Sequence, residues 1–339
     1  MSQKTKVLID QTRLITGHKA RGSGTYINNL VNSLKSESLV RLVDSYSDEP
    51  DVVHYPYFDP FFLTLPSRFT RPTVITVHDL IPIDYPKIFP KGIKGAIKWQ
   101  IQKQKLKKAD AIITDSLHSK KRISVLTGIS PEKIYSIPLA ADPIFVKKQK
   151  KDLVQAQKKY KLPDKFVLYL GDINPNKNVI RLIQAAESFK IRLFLAGRPF
   201  SGHSAEVIKI KKMVANSKNS QIIGEIESAK DLVDIYNLAH LTVVPSWDEG
   251  FGFPILESMA CGTPVATSNI SCLPEVGATA ARYFDPYSKK SIIDTINQIT
   301  TLNKSEYDQL SYDSIKNNQK FTWEKTAKLT SDVYQQIVH

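Results

Sequence analysis

Two glutamates with seven residues between them, Glu249 and Glu257, bracket a glycine-bearing loop in the stretch LTVVPSWDEGFGFPILESMACGTPVATS, residues 241–268. A carboxylate accepts hydrogen bonds from hydroxyls and repels phosphate, so such a pair suits a polyol. The residues between them suit the opposite charge. Gly250 and Gly252 let the backbone approach a bound group, and the N–H groups opening a helix at Pro254 favour an anion through the helix dipole. Acceptors for hydroxyls beside donors for phosphate point to a sugar nucleotide. The elements that must position them read as strand, loop, short helix and strand: Leu241–Val244 is apolar and β-rich, Pro254 suits the first helical position and Gly262 the position just past the end. The same residues also fit a plain βαβ unit whose Gly and Pro are turn chemistry and whose glutamates are solvated.

The pattern PSxxEGFGxPxLExMACGxPVxxS, however, resembles the donor-binding signature of family 4 of the retaining glycosyltransferases, including its Glu, seven residues, Glu spacing. The resemblance runs over nearly the whole chain, weakly in residues 1–72 and strongly in residues 165–285. It implies an α/β protein of GT-B architecture, two Rossmann-like domains facing across a cleft. The acceptor-side domain would span residues 1–145 and the donor-binding domain residues 164–321, with a C-terminal helix over 322–339 crossing back to the first.

Residue roles follow from the same resemblance. Glu257 would hold the ribose hydroxyls, and Glu249 with the backbone of Gly250, Phe251, Gly252 and Phe253 would orient the sugar. In FVLYLGDINPNKNVIRLIQAA, Gly171 ends the strand and Lys177 corresponds to the lysine that neutralises the diphosphate. Asp172 stands where many members carry arginine, and Arg198 in LAGRP is the candidate substitute. VHDLIPIDYPKIFP resembles a segment whose histidine, here His78, faces the transferred sugar; a lone histidine at a strand end can equally be structural. The loop HKARGSGTY would put Gly22 and Gly24 near the reaction, although both also read as turn residues.

The implied reaction is transfer of a hexose with retention, catalysed by His78 and Glu249 without metal or cofactor. The acceptor attacks on the leaving group's own face, and the charge growing on the diphosphate is stabilised electrostatically. The resemblance favours GDP-mannose over a UDP-hexose. The acceptor would be a saccharide or lipid-linked saccharide. A sugar-nucleotide epimerase of the same architecture is the nearer rival, since it shares the cleft but needs no acceptor.

At 339 residues the chain is long for one core, and 42% hydrophobic with 24% charged residues is ordinary for a globular protein. Residues 1–11 hold only the short apolar run Val7–Ile9, too little for a signal peptide, and no segment reaches a membrane span, so a cytoplasmic protein is expected. Cys261 and Cys272, the only cysteines, have no zinc-type spacing and read as small core residues. The net charge of +14 is uneven, with 24 Lys and Arg against 13 Asp and Glu in residues 1–150. That bias points to an anionic partner. Nucleic acid is disfavoured because no helix-turn-helix, aromatic RNA-binding strand or zinc finger is recognisable.

Along the chain, Lys6–Asp10 reads as a first strand and Tyr26–Leu34 as an amphipathic helix; GSGTYI lacks the third glycine of a dinucleotide fingerprint. Asp51–Tyr55 is a strand, Pro56–Pro72 a surface loop, and Thr73–Val77 a strand delivering His78 at its carboxyl end. Lys87–Lys108 holds eight lysines and no acid, with an apolar stripe of Ile93, Ala96, Ile97, Ile101 and Leu106. Such a helix can lie on an anionic membrane with Trp99 at the headgroup level, or pack its stripe on the sheet with the lysines solvated. Ala111–Thr114 is the next strand, with Ser116 as a helix cap. Residues 146–165 are polar and read as the interdomain connection, after which strands and helices alternate into a second parallel sheet.

Overall fold

A computed structural model describes residues 4–12, 22–197, 200, 202, 204–226 and 228–339. The chain divides into two compact units, Met1–Ala140 with Phe321–His339, and Ala141–Lys320.

In the first unit β1 (Thr5–Ile9), β2 (Val40–Val43), β3 (Val52–Tyr55), β4 (Thr73–Thr76), β5 (Ala111–Thr114) and β6 (Ile134–Ser136) form one parallel sheet in the order β2-β1-β3-β4-β5-β6. Every residue of β3, β4 and β5 is buried, as expected of a parallel sheet covered on both faces. The edge strand β2 was not expected from sequence. Only Val40 in it is buried, so it carries no burial pattern to read.

The helix Trp323–Val338 packs in this unit, capped by Thr322 and burying Trp323, Ala327, Val333 and Tyr334. Tyr334 ties it to the sheet through a chain of buried polar groups. Its hydroxyl lies 2.6 Å from His54 Nδ1, His54 Nε2 lies 2.8 Å from Thr76 Oγ1, and the Tyr26 hydroxyl lies 2.9 Å from the same oxygen. Burial pushes the His54 pKa down to about 3, so its ring is neutral and donates through one nitrogen while accepting at the other.

Three expectations for this unit change. The described helix runs over Gly22–Leu34, so Gly22 and Gly24 lie in a helix rather than in a loop. Glycine has poor helix propensity, but Gly24, Tyr26 and Ile27 are buried, and tertiary packing outweighs propensity there. Trp99 is buried with Gly95, Gln102 and Leu106 on the inner face of the helix Gly92–Lys108, not at a headgroup level. Its outer face carries Ile93, Ile97 and Ile101, which are 83%, 58% and 41% exposed. The Pro56–Pro72 stretch is only partly surface: Phe58 and Leu65 join the core, while the Gln102 amide donates to the Phe62 carbonyl at 2.6 Å and to Thr64 Oγ1 at 2.8 Å.

In the second unit β7 (Val167–Leu170), β8 (Leu193–Ala196), β9 (Ser220–Gly224), β10 (Leu241–Val244), β11 (Val265–Ser268) and β12 (Arg282–Phe284) form a parallel sheet in the order β12-β11-β10-β7-β8-β9. The chain runs outward from β7 to β9 and then returns to lay β10 on the other side of β7. At such a reversal the loops leaving the two strands part, and open sheets bind ligands in the crevice between them. Residues 146–165 are not a free connection. Leu153, Ala156 and Leu162 are buried, and Lys148 is ion-paired with the fully buried Asp234 in this unit.

Backbone contact binds the carboxyl ends of three neighbouring strands. The Gly171 N–H donates to the Ala196 carbonyl at 3.1 Å and the Gly197 N–H to the Gly224 carbonyl at 2.9 Å. Gly197 has φ 148, and a Cβ built on it would stand 2.2 Å from the Gly171 carbonyl oxygen. Replacing it with Gly197→Ala is expected to cost about 2 kcal/mol or more, because backbone must shift to admit the methyl group. Urea unfolding measures this; an unchanged midpoint would contradict the close approach.

Candidate functional site

The loops leaving β7 and β10 bring two of the residues singled out by sequence into contact. Lys177 ends the turn Pro175–Lys177 after β7, Glu249 follows β10, and Lys177 Nζ lies 2.7 Å from both carboxylate oxygens of Glu249. Their side chains are only 21% and 12% exposed, so the pair is poorly screened by solvent. Ser246 Oγ donates to Glu249 Oε1 at 2.6 Å.

The backbone around this pair is held by side chains that sequence reading did not single out. Asn176 Nδ2 donates to the Asp248 carbonyl at 2.9 Å, and the Trp247 N–H returns a bond of 2.9 Å to the Asn176 carbonyl. Buried Asp248 accepts from the Glu249 N–H at 2.9 Å and from Ser271 Oγ at 2.6 Å. The Cys272 thiol lies 3.2 Å from the carbonyls of both Glu249 and Phe251, so this cysteine ties down the loop as well as filling the core. Tyr169 on β7 is buried below, its hydroxyl donating to the Asp172 carbonyl at 2.6 Å. The Glu249 and Asp172 carboxylates add to burial in raising the Tyr169 pKa.

Gly250 and Phe251 are buried in the turn that follows, Phe251 meeting Phe253 edge-on at 5.6 Å. Gly252, at φ 101, is the N-cap of the helix Phe253–Ala260. Pro254 is therefore the second helical residue rather than the first, still within the turn that needs no N–H from it. Gly252 needs its left-handed conformation, and a Cβ there would also press on Leu273 at 3.0 Å. Glu257 sits in the second turn and does not share the partners of Glu249. It accepts from the Tyr236 hydroxyl at 2.7 Å. Burial pushes the Glu257 carboxyl up to about 7, against the Tyr236 hydrogen bond and assisted by Asp142.

In the first unit, β4 and β5 are parallel neighbours with Thr76 opposite Ile113, so residues just past their carboxyl ends come together. His78 leaves β4 and Asp115 leaves β5, and His78 Nδ1 lies 2.8 Å from Asp115 Oδ2. Burial disfavours charge on His78, but the field and hydrogen bond of Asp115, with the field of Asp79, prevail and raise its pKa. Burial raises the Asp115 pKa, opposed by His78. The Tyr26 ring meets His78 edge-on at 5.0 Å. Gly22 and Gly24 lie on the same helix as Tyr26. Gly171 sits at the end of β7 as described, and Arg198 lies outside the described residues. Asp172 is exposed. Among the described residues no group of three or more His, Cys, Asp or Glu is placed to hold a metal ion.

A profile of the family described as "Glycosyl transferases group 1" matches residues 150–321, slightly more than half of the chain. The chain belongs to this family. The profile described as "Glycosyltransferase Family 4" matches residues 11–144 of this group 1 glycosyl transferase. The serotype-specific mannosyltransferase WbdA of Escherichia coli is 27% identical over 346 residues, an alignment covering 98% of this chain and 42% of that protein. The chain spans about two fifths of the length of the WbdA relatives it matches. The O-antigen chain mannosyltransferase B of Escherichia coli is 28% identical over 294 residues, covering 84% of this chain and 75% of that one. A solved structure of Anabaena HepE in complex with UDP and glucose matches with a TM-score of 0.75 at 15% identity, over 98% of this chain and 100% of that one. The fold of the transferase is thus GT-B, an α/β protein of two Rossmann-like units.

Glu257 gives this glycosyl transferase a stability that depends on pH. Its folded pKa of about 7 exceeds the ordinary value of 4.5, so the folded state binds the proton more tightly. Below pH 4.5 both states are protonated and nothing is lost; stability then falls as pH rises to about 7 and levels off, a total of about 3 kcal/mol. Glu257→Gln keeps an acceptor for Tyr236 and carries no charge. It is expected to unfold at higher urea than the parent at pH 8 and at equal urea near pH 4.5. Equal midpoints at both pH values would mean that the carboxyl is not raised.

Proposed function

We propose that the protein transfers a hexose from a nucleoside diphosphate sugar, mannose from GDP-mannose, to a hydroxyl of a saccharide or lipid-linked saccharide, with retention at the anomeric carbon. The observation that carries this reading is the Lys177–Glu249 pair between the loops of β7 and β10, beside a helix start capped by Gly252 and inside the segment matched by the group 1 profile. A diphosphate brings the negative charge that Lys177 now takes from Glu249, and it frees that carboxylate to accept from sugar hydroxyls. Lys177 and the start of the Phe253–Ala260 helix, with Gly250, Phe251 and Gly252 before it, then stabilise the departing diphosphate. Glu257 accepts from the ribose hydroxyls. To His78 we assign a hydrogen bond to the transferred sugar. No step in this scheme calls for a metal ion. The mannosyltransferase names of the WbdA and mannosyltransferase B relatives support mannose as the sugar.

A UDP-hexose is the second reading, favoured by the UDP and glucose bound to the similarly folded HepE. Thermal denaturation against GDP, UDP, ADP and NAD and the matching sugar nucleotides separates the two. A ligand specific to the folded state adds about 2.7 kcal/mol at a hundred times its dissociation constant, a readable shift. GDP and GDP-mannose are expected to raise Tm and the UDP compounds are not; the reverse reassigns the donor, and no shift with any nucleotide removes the reading. Glu249→Ala is expected to lower turnover about a hundredfold. Full turnover with unchanged donor affinity would remove Glu249 from the site.

A lipid-linked acceptor places the enzyme at the inner face of the cytoplasmic membrane, and the outer face of the Gly92–Lys108 helix fits that surface. No described helix is long and apolar enough to cross a membrane. Ile93, Ile97 and Ile101 stand one turn apart on that face, and the nearby loop residues Phe62 and Leu63 are 62% and 53% exposed. Lys98 Nζ lies 5.3 Å from the Phe62 ring centroid, so lysine charge and exposed apolar surface adjoin. This is the composition that binds anionic bilayers. The double variant Ile93→Ser, Ile97→Ser is expected to lose most co-flotation with phosphatidylglycerol vesicles while changing stability by no more than about 0.5 kcal/mol. Undiminished flotation would place the contact elsewhere, and no flotation of the parent would favour an acceptor free in solution.

A further inference from the structure

The role proposed for His78 leaves open how a single imidazole at a strand end acquires a defined tautomer and charge. Four titratable groups face it. Asp115 comes from the end of β5, Asp79 from its own loop, Tyr26 from the Gly22–Leu34 helix and His54 from β3. Tyr26 and His54 are not competitors for its proton. The Tyr26 hydroxyl is spent on Thr76 and its pKa is raised by burial, while both nitrogens of His54 are occupied by Tyr334 and Thr76. Of the two carboxylates, Asp115 makes the contact with His78, 2.8 Å from Nδ1, from a side chain only 3% exposed. The other ring nitrogen, Nε2, is buried without a hydrogen-bond partner among the described residues. Leaving a buried polar atom without a partner is unfavourable, and a ligand oxygen at that point would relieve it.

We propose that Asp115 is the positioning residue for His78: it holds Nδ1–H, so that Nε2 is the atom aimed at an oxygen of the transferred sugar and acts as a cationic donor. The same contact fixes the ring plane, with the edge-on Tyr26 limiting its rotation. The inference rests on the transferase reading above for its sugar, and on this unit's own geometry for the pairing. It extends the site by a residue that lies one strand away from the histidine and touches no substrate itself.

The test uses the whole 339-residue chain and has two arms. In the first, imidazole resonances are followed by NMR through a pH titration with no donor present, the His78 signal being assigned by its loss in His78→Gln. The parent His78 is expected to titrate above 6.5 and Asp115→Asn to lower that value by about one pH unit or more, with Asp115→Glu restoring part of it. A parent His78 titrating below 6.5 overturns the pairing even if Asp115→Asn does not fold. In the second arm, turnover of GDP-mannose is measured against pH. Because the cation is the working form, the rate falls as pH rises through the His78 pKa, and Asp115→Asn moves that fall to lower pH. At neutral pH it lowers kcat about tenfold with donor KM within about twofold. An unmoved imidazole titration overturns the positioning role. A moved titration with an unmoved pH profile keeps the pair but removes it from catalysis. Absence of turnover with every sugar nucleotide, alongside the expected titration, counts against the transferase reading instead.

Discussion

The Lys177–Glu249 ion pair is the constraint around which the second unit is arranged. It spans the point where the strand order reverses, and Asn176, Asp248, Ser271 and Cys272 hold the adjoining backbone of the β7 and β10 loops. Taking two charges partly out of water is costly, and a well-packed apolar pair of equal volume would hold the loops at least as firmly. An apolar pair, however, could not exchange partners. A lysine and a glutamate that already face each other can separate onto a diphosphate and a set of hydroxyls with little new desolvation. That is the physical reason to read the pair as a site rather than as a brace.

The first unit meets a related problem with different residues. His78 and Asp115 also come from loops at the carboxyl ends of neighbouring parallel strands, and they too bring a carboxylate against a basic group in surroundings that exclude most water. Behind them the Tyr334, His54, Thr76 and Tyr26 chain satisfies its buried polar groups and fastens the C-terminal helix to the sheet. The rigidity is then supplied by a neutral network, and the charge is confined to the His78 side. Glu257 in the second unit shows the converse cost. A carboxyl placed in a half-buried position for its acceptor capacity resists ionisation near neutral pH, so stability is lowered where the group would be most useful to a hydroxyl ligand.

The uneven charge of the chain acquires a location in the fold. The lysines of residues 94–108 decorate a helix whose inner face is anchored by Trp99 and Leu106, which leaves the isoleucines of the outer face exposed. Exposed isoleucines at one-turn spacing have no role in the core of the unit, and lysines among them keep such a surface from self-association by repulsion.

Much of the site could be read along the chain because its parts are local. Glu249, Gly252 and Glu257 are fixed relative to one another by a loop and two turns of helix, and the left-handed cap at Gly252 is a requirement that only glycine meets easily. Two parallel sheets were legible for the same reason, since buried β-branched runs alternate with amphipathic stretches. The pairs formed across strands were not legible. Lys177 meets Glu249, His78 meets Asp115 and Tyr236 meets Glu257 only because parallel strands or packed helices bring distant segments side by side, and strand order is not written in any one segment. Trp99 and Ile97 show the limit most plainly: both sit in one basic, apolar-striped helix, and which of them faces inward was decided by where the rest of the sheet offered a surface to cover.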